Sequence, residues 1–186
     1  QGFAQLGEEN ARLKALLAMQ KRYAGAAIAV EVLYTGRDPF AQKVFVDKGS
    51  VAGIQAGAGV IDDNGVVGQV TRVFPYMAEV TLITDRDQAV PVQVERSAAR
   101  SVLFGNGTGR SPELRFTSPS ADLRTGDRLL TSGLDGTYPP GLAVAQITDV
   151  VRDAGQMFAR IVCSPLAGID HSEFLLVLSQ AAALPP

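Results

Sequence analysis

The sequence predicts an all-β protein with an N-terminal α-helix: two small β-barrels from an internal duplication, preceded by a coiled-coil stem. Three observations favour this fold. A pattern of apolar and glycine positions occurs twice, residues 3–23 lack proline and are rich in helix formers, and 19 glycines and 10 prolines are spread along 186 residues. Glycine and proline distributed in this way indicate many tight turns between short strands.

The duplicated pattern consists of an apolar residue, two spacers, glycine, two spacers and an apolar pair. It occurs at residues 54–61 and again, sixty-nine positions later, at residues 123–130. After a small insertion in the second copy, the similarity continues in two further pairs of segments, 66–73 with 143–150 and 80–83 with 161–164. Such ordered similarity is typical of two copies of one supersecondary unit.

The repeat divides the chain into four parts. A coiled-coil helix covers residues 1–24, the first barrel 25–87, the second barrel 88–165, and a C-terminal strand with a tail 166–186. The strongly apolar segment at 173–179 has no counterpart in the second copy. We therefore expect this last strand to return and complete the first barrel.

The helix carries a stripe of side chains at alternating spacings of four, three and four, namely Leu6, Asn10, Leu13 and Leu17. We call it the leucine–asparagine stripe. Asparagine at a core position of a coiled coil fixes the register and favours two parallel strands. The stripe therefore predicts dimerisation. An amphipathic helix packed on its own domain, with Leu16 and Leu17 buried, is the alternative.

The strands follow from β-branched and alternating apolar residues between turn signals. They are predicted at 26–34, 43–47, 59–62, 66–74, 78–84, 88–95, 101–104, 113–116, 128–131, 142–151, 158–164 and 173–179.

Five glycines are predicted to shape turns: Gly57, Gly65, Gly126, Gly133 and Gly141. Gly57 and Gly126 fall at the same place in the two copies, so we expect them at equivalent corners of the barrels. The Asn-Gly pair that ends at Gly65 is typical of a two-residue hairpin with positive φ angles. The insertion at 136–141, which contains two adjacent prolines, reads as a rigid surface loop.

Composition narrows the classes of function. The formal net charge of −2 and the pI near 5.4 leave no basic stripe for phosphates, so no nucleic-acid partner is expected. One cysteine, Cys163, excludes an internal disulfide and reads as a small core residue. Neither a cofactor nor a metal is expected, because histidine and cysteine occur once each and the acidic pair Asp62-Asp63 reads as a solvated turn.

No catalytic residues are predicted, although two rival interpretations remain. A pair of small barrels is also the architecture of chymotrypsin-like proteases, but the single histidine, His171, lies in an extended segment whose neighbours point to opposite sides. The glycine-rich segment 105–110 lacks the lysine and helix of a phosphate-binding loop and reads as a hairpin tip. A periplasmic adaptor of a transport pump also joins helices to barrels, but it uses a helical hairpin between strands.

An ordered series of motifs resembles the periplasmic part of the MreC family of cell-shape proteins. The matching segments are 9–17, 49–57, 65–70, 82–92, 126–133 and 139–142. The resemblance covers nearly the whole chain. Ala145 stands where the family usually has glycine, and the family's usual upstream membrane anchor is not in this chain, which begins at Gln1 and reads as a fragment of something longer.

The resemblance implies a non-catalytic scaffold of the cell-elongation machinery that maintains rod shape. It implies the periplasmic domain of a single-pass inner-membrane protein, with a helix followed by two small β-barrels. It further implies a homodimer formed through the helix, with longer polymers left open, and binding to and activation of the elongation-specific penicillin-binding transpeptidase. MreD and the actin-like MreB are expected in the same complex.

Overall fold

The order of elements in the computed structural model is one helix followed by twelve strands. The structure describes residues 2–22, 27–36, 41–107, 110–115, 117, 121–134, 136–151, 160–169 and 173–178. The elements are α1 (Gly2–Arg22), β1 (Ala27–Thr35), β2 (Lys43–Val46), a 3₁₀ turn (Ser50–Ala52), β3 (Gly59–Ile61), β4 (Val66–Val73), β5 (Ala78–Leu82), β6 (Ala89–Val94), β7 (Arg100–Phe104), β8 (Glu113–Arg115), β9 (Arg128–Thr131), β10 (Ala143–Val151), β11 (Arg160–Pro165) and β12 (Phe174–Leu178).

The strands form two closed six-stranded barrels, which confirms the predicted all-β class with an N-terminal helix, whereas the coiled-coil stem stays a prediction. The order around the first barrel is β1-β12-β3-β4-β5-β2, and around the second it is β10-β11-β8-β7-β6-β9. All neighbouring strands are antiparallel. Closure leaves neither sheet with an unpaired edge.

The first two pairs of duplicated segments, 54–61 with 123–130 and 66–73 with 143–150, have the same register in the two barrels. Gln69 pairs with Gly59 on one side and Thr81 on the other, and Gln146 pairs in the same way with Arg128 and Ser164. A bulge interrupts the ladder one residue later in each copy, between residues 70 and 72 and between residues 147 and 149. These two pairs are therefore a repeat of backbone geometry. The third predicted pair, 80–83 with 161–164, is wrong by two residues, because Thr81 is equivalent to Ser164.

The two barrels use their strands in different chain order. In the second barrel, β6 lies between β7 and β9, and the same place in the first barrel, between β1 and β3, is taken by β12. The strand that begins the second barrel thus corresponds to the strand that ends the chain. The second barrel is inserted between β5 and β12 of the first, which makes the first barrel a circular permutation of the second.

The continuous apolar sequence of β12 results from burial on both faces. Leu175 and Val177 point into the core of the first barrel, whereas Leu176 and Leu178 belong to a second cluster that also contains the core of the second barrel. Successive side chains of a strand point to opposite faces, so a strand covered on both sides needs apolar residues at every position. Leu16 of α1 belongs to this second cluster, which extends from the helix to the second barrel.

Candidate functional site

One face of α1 packs on the first barrel, and the other face is exposed. Leu16 is 5% exposed, and the helix contacts β1 and β12. Within the leucine–asparagine stripe, Leu6 and Leu17 are 63% and 56% exposed, Asn10 is exposed and Leu13 is half-buried. The alternative reading of the helix therefore holds for Leu16 and is wrong for Leu17. The exposed part of the stripe has no partner among the described residues of this chain.

A second exposed apolar surface lies at one end of the first barrel. We call it the aromatic patch, and it consists of Tyr34, Val51, Phe74 and Tyr76, all of which are exposed. Backbone hydrogen bonds from Ser50 to the Phe74 carbonyl (2.9 Å) and from Val51 to the Pro75 carbonyl (3.1 Å) hold its two loops together.

Tyr34 connects the patch to the neighbouring strands. Its ring stacks on Phe45 with centroids 4.9 Å apart, and its hydroxyl lies 3.7 Å from the sulfur of Met77. Both contacts restrain the Tyr34 ring before any partner binds. A clustered set of exposed aromatic and aliphatic side chains is typical of a protein-binding surface.

The joint between the barrels contains residues of the 136–141 insertion. Tyr138 is 2% exposed, and its hydroxyl donates a hydrogen bond to the carbonyl of Gly68 in the first barrel (2.8 Å). The prediction of a surface loop is therefore wrong for this residue. The single-sequence pattern could not show it, because a tyrosine between threonine and proline is equally compatible with an exposed turn.

Asp62 also lies at the joint rather than in solvent. Its carboxylate accepts hydrogen bonds from the backbone amides of Asn64 (2.8 Å), Gly65 (2.9 Å) and Gly168 (2.8 Å), and its side chain is almost fully buried. The expectation of a solvated Asp62 is thus wrong. A buried carboxylate is tolerated here because several amide donors replace water.

Four of the five predicted turn glycines adopt positive φ angles. They are Gly57 (90°), Gly126 (96°), Gly133 (77°) and Gly141 (90°). Gly57 and Gly126 donate to the carbonyls of Val70 and Ile147, both at 2.8 Å, so the two glycines occupy matching corners.

Gly65 differs from the other four. It is not among the positive-φ residues, so the predicted two-residue hairpin with positive φ is wrong. The turn is instead closed by the Asp62 carboxylate and by a hydrogen bond from the Asp62 amide to the Gly65 carbonyl (2.9 Å).

A charged cluster stabilises the second barrel beside the Gly126 corner. The Arg96 guanidinium donates to both oxygens of Asp127 (2.9 Å each) and to both oxygens of Asp122 (2.9 and 3.1 Å). The hydrogen bonds from Arg96 hold the pKa of Asp127 below its ordinary value, and those to both carboxylates raise the pKa of Arg96. Paired in this way, the cluster acts as a structural clamp.

The other candidate chemical groups are a cysteine, a histidine and the acidic side chains. Cys163 is fully buried, and desolvation raises the pKa of its thiol to about 12. Within the described ranges, no group of three or more His, Cys, Asp or Glu could hold a metal ion. His171 lies outside the described residues. In those same ranges, no helix is both long and apolar enough to cross a membrane.

An N-terminal helix followed by two closed six-stranded barrels defines the class of this molecule: a double-β-barrel protein with a helical N-terminus. A family model described as "Rod shape-determining protein MreC, barrel core" matches residues 32–179. The chain belongs to the MreC family. The resemblance found in the sequence is confirmed.

Curated relatives and solved structures agree with this assignment. Cell shape-determining protein MreC of Escherichia coli K12 is 39% identical over 174 residues, and that of Haemophilus influenzae is 36% identical over 176. Each alignment covers 94% of this chain but only 47% and 50% of the relative, so the chain spans about half the length of these curated relatives.

Three solved structures share this fold. A structure of MreC has a TM-score of 0.83 and 36% identity, and it covers 93% of this chain and 98% of its own. The crystal structure of MreC from Pseudomonas aeruginosa has a TM-score of 0.79 and 37% identity, with 82% and 98% covered. A complex between penicillin-binding protein PBP2 and MreC from Helicobacter pylori shares the fold at 16% identity, with a TM-score of 0.65 and 82% and 96% covered.

Proposed function

We propose that this chain is a non-catalytic scaffold of the cell-elongation machinery, which dimerises through α1 and binds and activates a penicillin-binding transpeptidase. Membership of a cell shape-determining family and the complex known for the Helicobacter pylori relative support this assignment. The single observation that carries it is the pair of exposed apolar surfaces on the helix and on the first barrel. One surface serves the second copy, and the other serves the enzyme.

The leucine–asparagine stripe is the proposed dimer contact. Leu16 anchors α1 to the first barrel, so the helix is held in one rotational setting with Leu6 and Leu17 facing away. A second copy that presents the same stripe would bury both leucines and pair the two Asn10 side chains. Dimerisation then places two double barrels side by side. Longer polymers would require a further contact between dimers.

The aromatic patch is the proposed contact with the transpeptidase. The restrained ring of Tyr34 loses little conformational entropy on binding, and the exposed rings of Phe74 and Tyr76 add aromatic contact area, which makes the patch suited to anchor an interface. The patch is on the first barrel, to which α1 is also attached. Enzyme and dimer contact are therefore carried by one rigid part of the molecule.

Activation would work by a shift of population. A scaffold that binds one conformation of the enzyme more tightly than the others increases the fraction of that conformation. We propose a periplasmic location for these domains, with a membrane anchor that precedes Gln1 in the whole protein and with MreD and MreB in the same complex. The periplasmic domain known for a more distant MreC relative supports this location.

The test measures binding of the chain to the soluble ectodomain of the elongation transpeptidase of the same organism, by biolayer interferometry. Tyr76→Ser combined with Val51→Ser is expected to weaken binding more than tenfold. Leu134→Ser is the matched control, because Leu134 is equally exposed but lies in the second barrel's loop. If the unmodified chain does not bind the ectodomain, the transpeptidase is not the partner. If the double variant binds as tightly as the unmodified chain, the aromatic patch is not the contact, although the partner stands.

A further inference from the structure

The second copy of the repeat has a longer loop, residues 132–142, that the first copy lacks. We call this loop the arm. The hairpin between β3 and β4 turns within residues 62–65, whereas the link between β9 and β10 runs from Ser132 to Leu142. This longer link brings Tyr138 out of its own barrel and into the first one. Because the side chain of Tyr138 is buried in the first barrel, we expect it to act between the two barrels and not in the core of its own.

Tyr138 is buried against Gly59 and the carbonyl of Gly68 in the first barrel, and we call this position the slot. A Cβ atom on Gly59 would lie 2.6 Å from Cδ1 of the tyrosine ring, which is too close for any residue larger than glycine. Gly68, whose carbonyl accepts the phenolic hydrogen bond, pairs with Val60 on the neighbouring strand. The absence of a side chain at Gly59 thus leaves room for the ring, and the backbone carbonyl of Gly68 orients its hydroxyl.

The arm itself is held in place before it meets the slot. The Thr131 hydroxyl donates to the carbonyl of Pro139 (2.6 Å) and accepts from the Leu142 amide (2.9 Å), and Pro140 packs against Gly133. The two adjacent prolines fix their own φ angles. Tyr138 is therefore presented by a rigid loop, so its position reports the position of the whole second barrel.

Two further contacts flank the slot. Gly65 lies against the Ala143 carbonyl, and the Asp62 carboxylate accepts from the amide of Gly168. The contacts of Tyr138 and Gly65 both join the second barrel to the β3–β4 hairpin, and Gly168 lies in the connection from β11 to β12. Of these contacts, only that of Tyr138 inserts a large side chain.

We propose that Tyr138 is the positioning residue that sets the angle between the two barrels and makes them one rigid body. The consequence for the molecule is that a contact made by the first barrel also places the second barrel. Without the ring, the orientation of one barrel on the other is no longer fixed, although each closed barrel keeps its own core.

The experiment measures the distance between spin labels on the two barrels of the folded chain, at Gln55→Cys in the first and Arg100→Cys in the second. Both positions are exposed, and Cys163 stays unlabelled because it is fully buried. We expect a narrow distance distribution in the parent, a broad or shifted one in Tyr138→Ala, and a narrow one at the parent mean in Tyr138→Phe. Tyr76→Ala is the control, since it removes an exposed tyrosine from the first barrel.

Gly59→Ala provides a second route that keeps the tyrosine. In the parent, the new methyl group displaces the ring and should broaden the distances and lower the urea midpoint. In the Tyr138→Ala background the same change meets no ring and only the Thr137 carbonyl oxygen, 3.1 Å away, so its effect should be much smaller and the two changes should be strongly non-additive. A narrow, unshifted distribution in Tyr138→Ala, or equal effects of Gly59→Ala in both backgrounds, would overturn the proposal.

Discussion

Gly65 of the first barrel lies against the backbone of Ala143 in the second: a Cβ atom at position 65 would stand 2.5 Å from the Ala143 carbonyl oxygen. The glycine is required by a close approach between two domains. Its φ angle lies outside the left-handed region, so conformational freedom is not the reason for its presence.

Substitutions of Gly65 distinguish the close approach to Ala143 from a requirement for a special backbone conformation. Gly65→Ala and Gly65→Asn should both destabilise the chain, by about 1–3 kcal/mol, because the added atoms force the barrels apart. Asparagine tolerates positive φ and would be nearly harmless if the turn conformation were the requirement. Urea unfolding followed by circular dichroism measures the difference. Asn64→Ala, at the exposed neighbouring position, is the control, and a mild effect of Gly65→Asn would contradict the close-approach explanation.

The sequence predicted well what depends on local pattern. The repeat around Gly57 and Gly126 and the alternation within the strands located most elements, because turn chemistry and side-chain period are properties of short segments. The same reasoning missed the joint between the barrels. Whether Asp62 or Tyr138 is buried depends on which surfaces meet, and a hairpin or a loop has the same sequence pattern whether it faces solvent or another barrel.

The helix shows the same limit in another form. Its heptad spacing placed the leucine–asparagine stripe, but Leu16 and Leu17 are neighbours with equal hydrophobicity, and only packing on β1 and β12 distinguishes the buried one from the exposed one. The dimer itself stays a prediction, since nothing in a single chain tests it.

The stripe should control the oligomeric state. Leu6→Asp together with Leu17→Asp places charges in the proposed contact and is expected to convert a dimer to a monomer, while the β-type circular dichroism persists. Light scattering at stated concentrations measures the mass. Glu8→Gln with Lys14→Gln, at exposed positions outside the stripe, is the control. A dimer that survives the double aspartate substitution would show that the chains associate elsewhere.

The Arg96–Asp127 contact should make stability depend on acid. The hydrogen bonds from Arg96 lower the pKa of Asp127 in the folded chain from the ordinary value of 3.8. The contribution of this contact to the free energy of unfolding is therefore fully present above the unfolded pKa and is lost as the pH falls through the folded pKa. Asp127→Asn should therefore destabilise the chain at pH 7, and the difference from the parent should shrink below about pH 4. Thermal unfolding between pH 2.5 and 7 tests this, with the exposed Asp87→Asn as a control. A constant difference across that range would exclude the linkage.

Cys163 should be inert while the second barrel is closed. Its thiol is fully buried and its pKa is raised to about 12, so at pH 8 very little thiolate forms and no reagent reaches the sulfur. We expect no reaction with a thiol-specific dye in the folded chain and complete reaction in 6 M guanidinium. Ser50→Cys, at an exposed site, supplies the reactive reference. Fast labelling of native Cys163 would show that this barrel opens readily.

Removal of the last strand should affect the barrels unequally. A chain ending at Asp170 lacks β12, so β1 and β3 lose their shared neighbour, and Leu175 and Val177 are lost from the first core. The second barrel keeps all six of its strands. We expect lost β-structure and aggregation from the open edges, with Cys163 still protected in the soluble fraction. Loss of protection together with the first barrel would instead indicate one cooperative unit.

The permuted strand order has a consequence for biosynthesis. During vectorial emergence of the chain from its N-terminus, β1 to β5 appear first but cannot close, because their sixth neighbour is encoded about ninety residues later, at β12. The second barrel, whose strands are contiguous, can complete itself in the interval. The second barrel can therefore close before the first, although most of the first is synthesised earlier, and the barrel next to the helix closes last. A premature stop near the C-terminus would accordingly damage the N-terminal domain.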